Sequence, residues 1–286
     1  MKFSKNKVML ATLVACSAAA VHAIPITHSA FGANGAAIQG TVDSFRATLG
    51  VLNPNVGGSF GSGRREINWD GVPDGFSAPN NLPSNFFNSN SPRGAQFVTP
   101  GTGFQVSANA GVAPVEFGNI DPSYPGIFTT FSAQRLFTAL GSNIVDVNFF
   151  IPGTSTVALT SSFGAVFTDV DLANTTSIEF FNTSNTSLGQ FFVPAATGNE
   201  TLSFLGVRFT EGSVISRVRI NSGNQILASG STANDLVVMD DFIYAEPVLQ
   251  AQQIPEPSVV WLSLTGLAGL ICMAAIRRRR ELKIDR

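Results

Sequence analysis

The side chains that most enzyme chemistry relies on are scarce in this chain. Its 286 residues include only 2 cysteines and 2 histidines, and 13% of them are charged. Two cysteines cannot staple a small disulfide scaffold. Cys16 and Cys272 both fall in apolar stretches at the two ends, so no Cys/His zinc cluster can form between them. His28 would be the one imidazole left after loss of an N-terminal leader, a single candidate base for a Ser-His-Asp triad and close to a chain end. No phosphate loop or dinucleotide fingerprint is present, because Gly61-Ser62-Gly63 runs into Arg64-Arg65 and lacks a third glycine. With 17 Lys+Arg and a net charge of -2, the basic footprint of a nucleic-acid binder is missing too. A hydrophobic content of 44% with so small a net charge excludes a disordered chain.

Lysine is absent from a long middle region. Residues 24–254 hold 8 basic residues, all arginine, against 16 acidic ones, a net charge of about -8. The near-neutral total hides an acidic centre between basic ends. Such a region stays soluble, avoids anionic surfaces and attracts divalent cations.

Both ends read as addresses. Lys2, Lys5 and Lys7 precede an apolar stretch from Val8 to Val21, and Val21-His22-Ala23 supplies small residues at the right place. That order is a secretory signal peptide over 1–23, with Ala23 the last residue removed. Leu13-Val14-Ala15-Cys16 also resembles a bacterial lipobox, which would make Cys16 a lipidated N-terminus. At the other end, Val259 to Ile276 contains no charged side chain over 18 residues. As a helix it would be about 27 Å long, against a hydrocarbon core of roughly 30 Å. Arg277, Arg278, Arg279 and Arg280 follow at once, placing the tail 281–286 in the cytoplasm and everything before Val259 outside.

Pro255-Glu256-Pro257, the apolar helix and the arginine cluster together resemble the PEP-CTERM sorting signal over 255–280. The resemblance implies a Gram-negative bacterium that makes exopolysaccharide. It implies an exosortase-like membrane protease as partner, a single-pass inner-membrane intermediate, and delivery to the cell surface or extracellular matrix. The two prolines keep the motif extended and out of the helix, presenting Glu256 just outside the bilayer. Residues 247–254 form a polar spacer.

Between the addresses, short runs of β-formers alternate with Gly, Asn, Ser and Pro, and no long stretch shows a convincing 3.6-residue apolar repeat. In Arg217-Val218-Arg219-Ile220 the apolar and charged residues alternate, as in a strand with one buried face. The expected fold class is all-β: one antiparallel β-sandwich, jelly-roll-like, over 24–246, with long loops in 53–126. Residues 127–140 fit either a helix or two strands; their Phe and Thr content favours strands.

Three acidic groupings stand out. Asp169 with Asp171, and the adjacent pair Asp240 and Asp241, are candidate ligands for a structural calcium, which takes six to eight oxygens. An Asp-Asp in a closing strand resembles that of lectin-like and carbohydrate-binding jelly rolls, where one aspartate is a calcium ligand. The alternative is a carboxylate paired with Arg208, Arg217 or Arg219, or one that caps a turn. Glu66, Asp70 and Asp74 around Trp69 could be glycosidase carboxylates beside a sugar-stacking ring; the plainer reading is a turn with Trp69 in the core. The expected role is non-catalytic binding or structure, exopolysaccharide being the ligand; a glycan-active enzyme is the alternative.

Overall fold

The computed structural model describes residues 24–108, 115–210, 212, 214–230 and 234–250. Ala23, Pro255 to Pro257, the apolar run 259–276 and Arg277 to Arg280 lie outside the described residues. In chain order the elements are β1 (Pro25–Gly32), α1 (Gly35–Leu49), β2 (Arg64–Ile67), α2 (Phe86–Ser89), β3 (Ala95–Val98), β4 (Gly103–Val106), β5 (Phe137–Leu140), β6 (Ile144–Phe149), β7 (Ser162–Thr168), β8 (Ser177–Phe181), β9 (Ser187–Phe192), β10 (Leu202–Phe209), β11 (Arg217–Asn221) and β12 (Val238–Ala245).

The strands form two antiparallel sheets packed as a sandwich. The larger runs β1-β10-β7-β12-β5-β4, with β2 also on β12; the smaller runs β3-β6-β11-β8-β9. Their facing sides interdigitate around Phe97, Phe137, Val147, Phe163, Val218, Phe242 and Tyr244, all at most 1% exposed. Alternation decides which residues enter this core. In β11 Val218 and Ile220 are buried, while Arg217 and Arg219 face outward and both reach Asp146 on β6 at 3.0 and 2.8 Å.

The central strands β10, β7 and β12 of the larger sheet are buried on both faces, and a helix contributes to this. No convincing 3.6-residue repeat stands out in the sequence, yet α1 spans 15 residues. Its buried stripe is Ile38, Val42, Phe45 and Leu49, spaced four, three and four apart, and Asn34 caps it by accepting from the Ala37 N–H at 3.2 Å. Gly35, Gly40 and Thr41 dilute the pattern. The stripe packs on Val166, Leu202, Phe204 and Ile243 from the outer face of the sheet. Phe45 lies directly over Gly206 and its partner Gly164; a Cβ on Gly206 would stand 2.8 to 2.9 Å from ring carbons of Phe45. Only bare backbone lets the helix come so close.

Of residues 127–140 only Phe137–Leu140 is a strand. The stretch before it is irregular because Phe128 and Leu136 fill a third cluster with Phe117, Tyr124, Leu227, Leu236 and Val238. Residues 53–126 carry β2, β3, β4 and α2 within long loops. Strand register puts Pro25, Ser162, Phe209 and Ala245 at one end of the large sheet, the termini end, and Gly32, Thr168, Leu202 and Val238 at the other, the far end.

At the termini end the loop after α1 is fastened by one buried ion pair. Arg65 and Glu246 are fully buried, and Arg65 binds both carboxylate oxygens at 2.6 and 2.9 Å. Its remaining N–H groups donate to the carbonyls of Pro54, Val56, Gly58 and Pro92, while Asn53 and the Phe60 N–H donate to Glu246. A segment with no ladder of its own thus satisfies its backbone through one guanidinium.

Candidate functional site

The fold gathers two of the three acidic groupings into one network. The register of β12 slips between Met239 and Phe242, both of which face the inter-sheet core. The bulge therefore turns Asp240 and Asp241 together toward the outer, helix-covered side. Asp240 Oδ2 accepts from the N–H groups of Phe131 and Ser132 at 2.6 and 3.2 Å, and Ser132 Oγ donates to Asp240 Oδ1 at 3.3 Å and to Asp241 Oδ1 at 2.5 Å. Arg46, from the last turn of α1, reaches Asp241 Oδ2 at 3.2 Å and Glu66 at 2.9 Å; Arg64 meets Glu66 at 2.6 Å. Burial, and next the charge of Asp241, push Asp240 well above the ordinary carboxylate range; burial raises Asp241 as well, against the pull of Arg46.

The second acidic grouping extends the same network. Asp70 Oδ1 accepts from the N–H groups of Gln134 and Arg135 at 2.6 and 3.1 Å, and Asp74 pairs with Arg135 at 2.5 Å. Trp69 is 1% exposed, stacked on Phe137 at a centroid distance of 4.1 Å, and donates from Nε1 to the carbonyl of Asp240. It has no face to offer a sugar. Four carboxylates from two stretches, Asp70 with Asp74 and Asp240 with Asp241, thus clamp the segment 131–135 over β12, Glu66 joining them through Arg46, and all four carboxylate oxygens of Asp240 and Asp241 accept hydrogen bonds from within the chain.

Asp169 and Asp171 lie apart, at the far end, where Asp235 joins them. Asp235 accepts from the N–H groups of Asp171 and Leu172 and from the Thr175 hydroxyl, and Asp171 accepts from the Gly198 N–H at 2.7 Å. Asp169 is 4% exposed and has a left-handed backbone, φ 66°. Its Oδ1 is buried without a hydrogen-bond partner. Burial first, then the charges of Asp171 and Asp235, push its pKa up to about 8. Among the described residues no three His, Cys, Asp or Glu side chains converge as a metal-binding set.

Arg46, Ser132 and Asp235 were missed as members of these clusters. Asp235 and Asp241 lie 64 and 195 residues from the groups they meet, Asp171 and Arg46. No local spacing signals such a meeting. Arg208, Arg217 and Arg219, the arginines expected to pair with Asp240 or Asp241, do not do so: Arg217 and Arg219 hold Asp146, and Arg208 lines a cleft of about 220 Å³ at the termini end together with Thr48, Ser62, Gly63, Ser161 and Val248. Among the described residues Arg208 has neither an ion pair nor a hydrogen bond from its guanidinium. No protein-family model and no curated protein matches the chain.

Proposed function

We propose that this chain is an exported surface protein. Its leader ends at Ala23, its apolar run 259–276 holds it briefly in an inner membrane, and an exosortase-like protease cuts it near Pro255-Glu256-Pro257. The sandwich, which we read as jelly-roll-like, then acts without catalysis at the cell surface or in the matrix, binding or bracing exopolysaccharide. One observation carries the reading: Pro-Glu-Pro, an uncharged run of 18 residues and four arginines stand in order within 255–280. The non-catalytic part draws support from the clamp, whose carboxylates are occupied by Arg46, Arg64, Arg135, Ser132 and backbone N–H groups. Incubating the purified protein with the host's exopolysaccharide tests it: co-sedimentation without new reducing ends is expected, and release of reducing ends would overturn the non-catalytic role in favour of glycan cleavage using Glu66, Asp70 or Asp74.

Calcium, on the same reading, goes to Asp169 with Asp171 rather than to Asp240 and Asp241. Asp169 has an oxygen to give, and binding would displace its proton. Calcium is expected to raise the melting temperature of the chelated wild type and to leave Asp169→Asn unmoved. No shift in wild type would remove the cation.

A further inference from the structure

The termini end differs from the rest of the surface in a way that the clamp and the far end do not explain. The four most exposed large apolar side chains among the described residues are Val51 at 73%, Ile24 at 65%, Leu249 at 60% and Val157 at 59%. All four are at this end, whereas the far end exposes Phe31 at 58% and Leu172 at 47%. Val51 follows the C-terminus of α1, Ile24 lies beside Thr210, Leu249 follows Val248 where it bridges Leu159, and Val157 bridges Phe150. Leu52 and Phe60, also about half exposed at 53% and 49%, belong to the loop that Arg65 and Glu246 fasten there. Scattered exposed apolar residues are ordinary; gathered at one pole they mark an interaction surface.

Among the described residues that line its cleft, the charge available at this end has one sign. The cleft beneath these residues is lined by Arg208. The only carboxylate lining it, Glu246, is 2% exposed and spent on Arg65, Asn53 and the Phe60 N–H. The far end is the reverse. Asp121, Asp169, Asp171 and Asp235 lie there around the loops that carry Tyr124 and Ala228, and Glu116, whose pKa is raised by burial and then by the charge of Glu200, stands with them. Among the described residues, then, one pole carries more of the exposed apolar side chains and an unpaired arginine, and the other carries the acidic cluster.

Chain length selects the occupant. Only nine residues separate Leu249 from Val259, the first residue of the uncharged run. Fully extended they span no more than about 32 Å. We infer that the termini end is a docking surface for a phospholipid bilayer: Val51, Leu52, Phe60, Val157 and Leu249 enter the headgroup layer, and Arg208 in its cleft meets a lipid phosphate. Apolar side chains and a basic group on one face are what interfacial binding uses. The acidic pole then points away from the anionic surface. This inference rests on the proposed membrane anchor, and goes beyond it by fixing which pole of the exported domain touches lipid.

The test uses the full chain with Cys16→Ser and Cys272→Ser, reconstituted in vesicles of phosphatidylcholine with phosphatidylglycerol, and a single fluorophore on Val51→Cys or, at the far end, on Leu172→Cys. Flotation with the vesicles reports the anchor; quenching by spin-labelled lipid reports which pole lies on the bilayer. Strong quenching at position 51 and little at 172 is expected, with Arg208→Gln lowering the docked-to-undocked ratio about fivefold in the anionic vesicles and not in phosphatidylcholine alone. Chain that floats but quenches equally at both positions overturns the docking surface and leaves the anchor standing. Protection of position 51 that grows with protein concentration rather than with lipid overturns it in favour of a second copy of the chain. Failure to float removes the anchor and the docking with it.

Discussion

Arg65 is the side chain on which most backbone depends. Replacing it by alanine leaves Glu246 charged and buried without a partner and strips the carbonyls of Pro54, Val56, Gly58 and Pro92. A loss of about 3–5 kcal/mol is expected in urea unfolding, with part of it recovered by the double change Arg65→Met and Glu246→Leu. Lysine should not substitute, since one ammonium cannot reach the forked set of acceptors. Asp169 gives a pH signature. Its folded pKa of about 8 lies above the ordinary carboxylate value, so the folded state holds a proton that the unfolded chain gives up. The stability it contributes is full below about pH 4 and disappears as pH rises to about 8. With chelator present, melting temperatures of wild type and Asp169→Asn should diverge across that window, the wild type falling more steeply. Parallel curves would contradict the raised pKa. None of this was readable at the residue scale: Asp169 was visible as an aspartate after a strand, but its burial, its orphan oxygen and its neighbour Asp235 come from chain crossings.

At the scale of elements, the strands were more legible than the helix. Val218 and Ile220 announced their buried face because β11 lies in a sheet whose other side is wet, so alternation was visible. The strands β7 and β12 have no wet side; α1 covers them, and their runs of Phe, Val and Ile say buried without saying by what. The helix itself had its stripe, its Asn34 cap and an exposed Gln39–Asp43 pair, bonded at 2.9 Å, four residues apart. Interior glycines and Thr41 masked them, since packing on the sheet overrides weak propensity. Its dependence on that packing is testable. Phe45→Ala should cost about 3–5 kcal/mol, and Asn34→Ala about 1 kcal/mol. Gly206→Ala should be as damaging as the large truncation, because its methyl would collide with Phe45. A Gly206→Ala variant as stable as wild type would show that α1 can lift off the sheet freely. The acidic clamp was half legible: each of its carboxylates was noticed, while the segment 131–135 that they hold was read as strand.

At the scale of the whole molecule, the scarcity of cysteine, histidine and lysine takes on a shape. The sandwich uses its few arginines almost entirely on internal carboxylates, through Arg46, Arg64, Arg65, Arg135, Arg217 and Arg219. Arg93 and Arg208 stand outside these pairs, Arg93 over the Phe87 ring and Arg208 at the pole where both described termini emerge. The export reading rests on the two ends of the chain, and it meets its most direct test in the intact mass of the form recovered from the cell surface or matrix. The expected mass is that of a chain beginning at Ile24 and ending before the arginines. A surface form that still carries Arg277 to Arg280 would contradict it.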